Sequence, residues 1–198
     1  MKRPANQISE GELSRIAINM AAFQRIIEFP QEVECSYSTG IFTCRGPKGE
    51  TSMKLKYPGI SLAVQDSQVR LTASKSSKKE KRIIHTFRAH IRNLLQGVTS
   101  GFQSTLKICS GHFPMTVAVE DSYLIIKNFL GEKIPRKAHI LPTTKVEIKG
   151  ADIIISGISK EDVGNTASNF ELATRITNRD RRIFMDGIWI TSKPRSIR

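Results

Sequence analysis

The residues of this chain best suited to chemistry are arginines near its end. From Phe170 to Arg198 the sequence reads FELATRITNRDRRIFMDGIWITSKPRSIR, where Arg175, Arg179, Arg181, Arg182, Lys193, Arg195 and Arg198 face only Glu171, Asp180 and Asp186. A guanidinium keeps its charge and offers a planar fork that bonds phosphate oxygens in pairs. The chemistry on offer is therefore phosphate binding. Ile183, Phe184, Ile188, Trp189 and Ile190 lie among these charges, and a disordered basic arm needs no such apolar run. The segment is expected to fold, with Phe184, Ile188 and Ile190 in the core and the guanidinium groups held on a fixed surface. Further cationic candidates are Lys133, Arg136 and Lys137, then Lys48 in the Gly46-Pro47-Lys48-Gly49 turn, Lys107, and the run KSSKKEKR at 75–82. His112 joins them as a polar contact.

Other chemistries find less to work with. His85 and His90 are five apart and cannot share a helix face. His112 follows Cys109 by three, half a metal site with no second half. No Gly-rich loop opens a helix to cradle a nucleotide, since the Gly46–Gly49 turn sits among strand patterns. Neither a catalytic residue set, a cofactor nor a metal is expected. The 31 Lys and Arg against 18 Asp and Glu give a net charge of +13 and a pI near 10.0. The excess runs along the whole chain, with 16 basic and 8 acidic residues in 1–99 and 15 and 10 in 100–198. On a folded protein such an excess favours a polyanionic partner, nucleic acid above all. No basic amphipathic helix with a broad aromatic face points to a membrane. Three scattered cysteines without a C-x-x-C fit a reducing compartment. The short apolar run Ile16–Phe23 reads neither as a signal peptide nor as a span, so a cytosolic location is expected.

These side chains must be positioned by a small set of elements. Ser9-Glu10-Gly11-Glu12 is a capping box, and Leu13, Ile16, Met20, Phe23 and Ile27 follow at helical spacing. An N-terminal extension over residues 1–29 is predicted, loose over 1–8 and helical from Ser9, ending before Pro30. From Val33 the period becomes two. Strands are predicted at Val33–Tyr37, Phe42–Cys44, Met53–Leu55, Ile60–Val64 and Val69–Ala73, with 75–82 as a charged connector. Ile84, Phe87, Ile91, Leu94, Leu95 and Val98 mark one helix face. The order then repeats about 84 residues later. Phe113-Pro114 echoes Phe29-Pro30, Val117 and Val119 echo Val33 and Cys35, and Leu124–Ile126 echoes Phe42–Cys44. Val146–Ile148 and Ile153–Ile155 echo the last two strands. A second helix, capped by Ser159 or Asp162, carries Val163, Ala167, Phe170, Ala173 and Ile176. The fold class is α+β: two tandem duplicated domains, 30–100 and 101–198, each an antiparallel sheet with one helix on a face.

This order of motifs resembles the large-subunit ribosomal protein "L six" family, in its eukaryotic and archaeal branch, over roughly residues 30–193. Val98-Thr99, Gly101-Phe102, His112-Phe113-Pro114 and Asn128-Phe129-Leu130-Gly131-Glu132-Lys133 carry the likeness, with the Gly46–Gly49 turn. The closing run is the most specific part, through Ile176, Arg179, Arg182, Phe184, Asp186-Gly187, Ile188, Ile190 and Lys193. Leu172 stands where the family pattern has Gln, and Trp189 where it has Tyr or Phe. The resemblance implies a structural constituent of the large ribosomal subunit. It implies binding to large-subunit rRNA near the sarcin–ricin region and stalk base, beside neighbouring ribosomal proteins and the docking place of translational GTPases. Most of the RNA contact would come from the second half. The rival expectation is a free-standing RNA-binding or RNA-chaperone module.

Overall fold

The computed structural model describes residues 23–197 other than Gln31, Asp66 and Arg181. Period-two patterning shapes the first half. In β6 (Gln68–Ala73), Val69, Leu71 and Ala73 are wholly buried while the residues between them are not. That alternation gives the strand one apolar face. β6 runs antiparallel between β5 (Ile60–Gln65) and β1 (Gln24–Glu28). A second sheet lies in chain order: β2 (Glu34–Ser38), β3 (Ile41–Gly46) and β4 (Gly49–Lys54).

β1 corrects the end of the predicted N-terminal helix. Residues up to 22 lie outside the described part, but 24–28 are extended, and Ile27 pairs with Val69. Ile27 is buried whereas Ile26 beside it is 48% exposed. Two adjacent β-branched residues suit a half-buried edge strand better than a helix turn. The helical spacing of Phe23 and Ile27 is coincidental.

Helix α1 (Lys78–Thr99) buries Ile84, Ile91 and Val98, spaced by two turns each. It begins earlier than expected. The Glu80 amide donates to Ser77 Oγ and the Ser77 hydroxyl donates back to the Glu80 carboxylate, a reciprocal cap. Lys78–Arg82 are therefore the first turns of the helix, and only the start of the KSSKKEKR run is a connector.

The second half repeats the first. β12 (Asp152–Gly157) lies between β11 (Thr144–Lys149) and β7 (Phe102–Cys109), and β9 (Tyr123–Lys127) lies between β8 (Thr116–Glu120) and β10 (Arg136–His139). Pairings β1–β6–β5 and β7–β12–β11 correspond, as do β2–β3–β4 and β8–β9–β10. β1 is thus the counterpart of β7, a strand of the repeat rather than an extension. Among the described residues one strand has no counterpart. β13 (Gly187–Ser196) pairs antiparallel with the free edge of β7. Neither β7 nor β13 is obvious from pattern alone, because β7 turns a serine inward and β13 breaks register after Ile190. Ser104 is fully buried and donates to the Ser192 carbonyl at 2.7 Å, which removes the penalty of its burial.

Helix α2 (Lys160–Ala173) is capped by Ser159, whose Oγ accepts from the Asp162 amide at 3.2 Å. Asp162 itself takes a hydrogen bond from Thr143. The helix stops at Ala173, so Ile176 joins the core from the segment beyond it. Val163, Ala167 and Phe170 pack with Leu106, Ile153 and Ile155 in one apolar cluster. The chain forms two compact units: one holds Cys35–Thr43, Ser52–Arg92 and the described part of 1–31, the other Glu32–Glu34, Cys44–Thr51 and the described part of 93–198.

Candidate nucleic-acid interface

The second unit carries its cations around the junction of α2 and β13. α2 ends at Ala173, and Thr174 follows, buried, its Oγ1 accepting the Ile188 amide at 2.9 Å. That bond joins the end of the helix to the start of β13, so the loop 175–186 is closed at its base. Within it, Asp186 is the organiser. Its side chain is buried and accepts from the Gly111 amide (2.5 Å), the His112 amide (3.0 Å) and His112 Nδ1 (2.6 Å). Burial pushes the carboxyl up, but the His112 amide, the imidazole and the Gly111 amide together outweigh it and hold the group below its usual range. A buried charge is tolerable only when so bonded.

His112 in turn stacks on Phe184, with ring centroids 4.7 Å apart and planes 25° from parallel. Arg179 lies over the same ring, its Cζ 4.8 Å from the centroid. Phe184 is half-buried, and Ile188 is buried at 1% exposure with Ile190 packed beside the core. The expectation of a core role holds in full for Ile188, while Ile190 and Phe184 are partly buried and pack against the core. Phe184 spans core and surface, as the plate on which His112 and Arg179 rest. Arg182 is 90% exposed. Its amide donates to Asp180 Oδ1 at 2.9 Å and Nη2 donates to Oδ2 at 3.2 Å. The Arg182 amide and then its side chain hold the Asp180 carboxyl below its usual range. Such an exposed pair contributes little, so the guanidinium is free to exchange partners. Arg181 lies outside the described residues.

Arg136 behaves unlike the other candidates. Nε and Nη2 donate to the two oxygens of Glu132 at 2.8 and 2.6 Å, and Nη1 donates to the Ala173 carbonyl at 2.9 Å. Its Cζ lies 4.3 Å above the centre of the Phe129 ring. This guanidinium is spent inside the protein, clasping the 128–136 loop to the end of α2. The Arg136 hydrogen bonds outweigh burial to lower the Glu132 carboxyl, and the charges of Arg136 and Arg179 add to them. Lys133 and Lys137, on either side of the clasp, are exposed.

Strand pairing places the remaining cations. Lys107 on β7 faces Trp189 on β13, and Arg195 faces Gln103. Lys193 and Arg195 are both exposed. Lys48 sits apart from this set. Its amide donates to the Val98 carbonyl at 3.0 Å, and its side chain shares a cleft of about 260 Å³ with Lys145 and Ser156. In the first unit, Lys79 and Lys81 lie against the rings of Tyr57 and Phe23. In the sequence Arg175 counts only as one of the closing cations and Asp186 only as part of the closing motif, with no role given to either. The Asp186-Gly187 step, where Gly187 takes φ of +149°, was the signal that the closing run turns sharply there. Among the described residues no His, Cys, Asp and Glu grouping could hold a metal, and no helix is long and apolar enough to cross a membrane.

A family model described as ribosomal protein L6 matches residues 29–101 and 113–187. The chain is 48% identical over 169 residues to a large ribosomal subunit protein uL6 of Methanosarcina mazei, covering 85% of this chain and 96% of that one. It is 44% identical to the protein of the same name from Methanobrevibacter smithii, covering 87% and 97%, and 43% identical to that of Archaeoglobus fulgidus, covering 86% and 90%.

Proposed function

The chain belongs to the ribosomal protein L6 family, and on that footing we propose that it is a structural constituent of the large ribosomal subunit, binding large-subunit rRNA near the sarcin–ricin region and stalk base, where translational GTPases dock. It works in the cytoplasm as part of the ribosome, against neighbouring ribosomal proteins. Its role is to bind and hold, not to catalyse. The observation that carries the reading is the stack on Phe184. It fixes Arg179 over the ring, near enough to the clasp for its charge to act on Glu132, in a chain of net charge +13. Arg179, Arg181, Arg182, Lys133, Lys137, Lys193 and Arg195 contact phosphates, with Lys107 and Lys48 as outlying contacts. His112 and Arg136 position the others. The half from residue 101 onward supplies most of the affinity, and residues 30–100 supply less.

A-form RNA hides its base edges in a deep groove, so a folded basic surface of this kind reads phosphates, 2′-hydroxyls and shape. Chemical footprinting of the protein on large-subunit rRNA tests the assignment. Protection should fall in the sarcin–ricin region and near the stalk base, and should fade when Arg179 and Arg182 are both replaced by Ala. Protection confined to distant helices, or unchanged in the double variant, would contradict it.

A further inference from the structure

Between the end of α2 and the start of β13 lies an open cleft of about 220 Å³, lined by Glu171, Leu172, Arg175, Phe184, Ile188 and Trp189. The indole of Trp189 is 41% exposed, yet its orientation is set: Nε1 donates to the Met185 carbonyl at 3.1 Å. With that donor satisfied, what the ring has left to offer is its face. An apolar cavity of about 150 Å³ admits a benzene ring, so this cleft has room for a planar base. Two cations flank it, Arg175 on the lining and Lys107 directly across the strand pair from Trp189. The single lining carboxylate is Glu171. A rim with two cations and one anion complements a backbone carrying one phosphate on each side of a base.

We propose that this cleft takes one unpaired base of RNA, stacked on Trp189 with its flanking phosphates at Arg175 and Lys107. The proposal rests on the RNA-binding reading above and adds base stacking to the phosphate contacts made by Arg179 and Arg182. Exposed Leu172 and Met185 nearby would also suit an apolar protein surface. Lys107 beside the indole favours the nucleotide, because lysine is depleted at protein–protein contacts, where arginine, methionine and aromatic residues are enriched.

Trp189 is the only tryptophan in the chain, so its fluorescence reports on this cleft alone. The full chain would be titrated at low salt with a uridine heptamer, with the same heptamer carrying abasic sites, and with a blunt RNA duplex of equal phosphate number. Binding of labelled large-subunit rRNA, and of the labelled heptamer to variants that lack the indole, would be followed in parallel by anisotropy. The heptamer should quench the indole to saturation, while the abasic chain and the duplex should not. Trp189→Phe should keep heptamer affinity within a few-fold. Trp189→Leu, which keeps the apolar bulk but loses the π-face, should lose roughly 5- to 150-fold, in line with stacking on aromatic residues. Equal quenching by the abasic chain, or unchanged heptamer affinity in Trp189→Leu, would overturn stacking while leaving rRNA binding intact. So would a Trp189→Leu protein that binds every RNA normally but no longer joins neighbouring subunit proteins, since the cleft would then be a protein contact. Loss of rRNA binding by the unmodified chain would remove the RNA reading and this proposal together.

Discussion

At the scale of single residues, the closing loop depends on one buried carboxylate. Asp186 accepts three hydrogen bonds, and an amide in its place can accept through one oxygen only. Asp186→Asn should therefore lower stability by about 1–3 kcal/mol, read as a fall in melting temperature. Its pH dependence follows from the same contacts. The folded Asp186 carboxyl lies below its ordinary value, so its contribution is fully present above about pH 4, the unfolded value, and is lost as pH falls through the folded one. Melting temperature should drop as pH falls below 4, and less steeply in Asp186→Asn; equal slopes would mean that other groups govern acid unfolding. Phe184 separates support from contact. Because its ring is half-buried, Phe184→Ala should cost about 2 kcal/mol, near the lower end for a buried apolar side chain. It should also weaken RNA binding, because Arg179 and His112 lose their plate. Arg179→Ala should leave the melting temperature nearly unchanged and lower the log–log salt slope of binding by about 0.7–0.9. If Phe184→Ala melted normally and still bound poorly, the ring would be an RNA contact, not a support.

Among the elements, two small devices set where the cations go. The first is the clasp of Arg136, which holds Glu132, the Ala173 carbonyl and the Phe129 face at once. Leu130 in the same loop has φ of 51° and ψ of 30°, a left-handed conformation that a bulky residue holds only when its surroundings enforce it. A lysine cannot reproduce the planar fork. Arg136→Lys should thus lose nearly as much stability as Arg136→Ala, by roughly 1.5–3 kcal/mol for hydrogen bonds to a charged group. A lysine variant as stable as the parent would show the clasp to be ornamental. The second device is β1. If 24–28 is a strand, adjacent isoleucines should differ sharply: Ile27→Ala should cost about 2–4 kcal/mol, whereas Ile26→Ala on the exposed side should cost under about 1. Equal costs would contradict the strand. The sequence was legible wherever one period ran unbroken, as in β6 and α1. It misled at Phe23–Ile27, where five residues fit both periods, and it was silent at β7, where Ser104 interrupts the apolar face. That serine is satisfied only by the Ser192 carbonyl, 88 residues away, a partner no local pattern can reveal.

For the molecule as a whole, duplication was readable because an offset of about 84 residues recurs. Ile60 and Gln68, which open β5 and β6, stand 84 residues before Thr144 and Asp152, which open β11 and β12. β1 and β7 depart from it, Ile27 matching Leu106. The candidate site was readable in kind but not in detail. Charge and the closing motif pointed to Arg179 and Arg182, yet nothing in residue type distinguishes Arg136, which serves the fold, from Lys133, which is exposed. That difference comes from Glu132 and the Ala173 carbonyl meeting Arg136 in space. The net charge of +13 would make an unbound molecule of this kind a promiscuous ligand for any nucleic acid, which fits a chain held permanently in one RNA assembly. The central claim is that this assembly is the large ribosomal subunit. The direct measurement is sedimentation of cell extract through a sucrose gradient, with the chain detected across the fractions. It should travel with the large subunit and with whole ribosomes, stay there in moderate salt, and move to the top only after ribonuclease treatment. A population at the top of the gradient before ribonuclease, with little in the large-subunit fractions, would contradict the account and favour a free-standing RNA-binding protein.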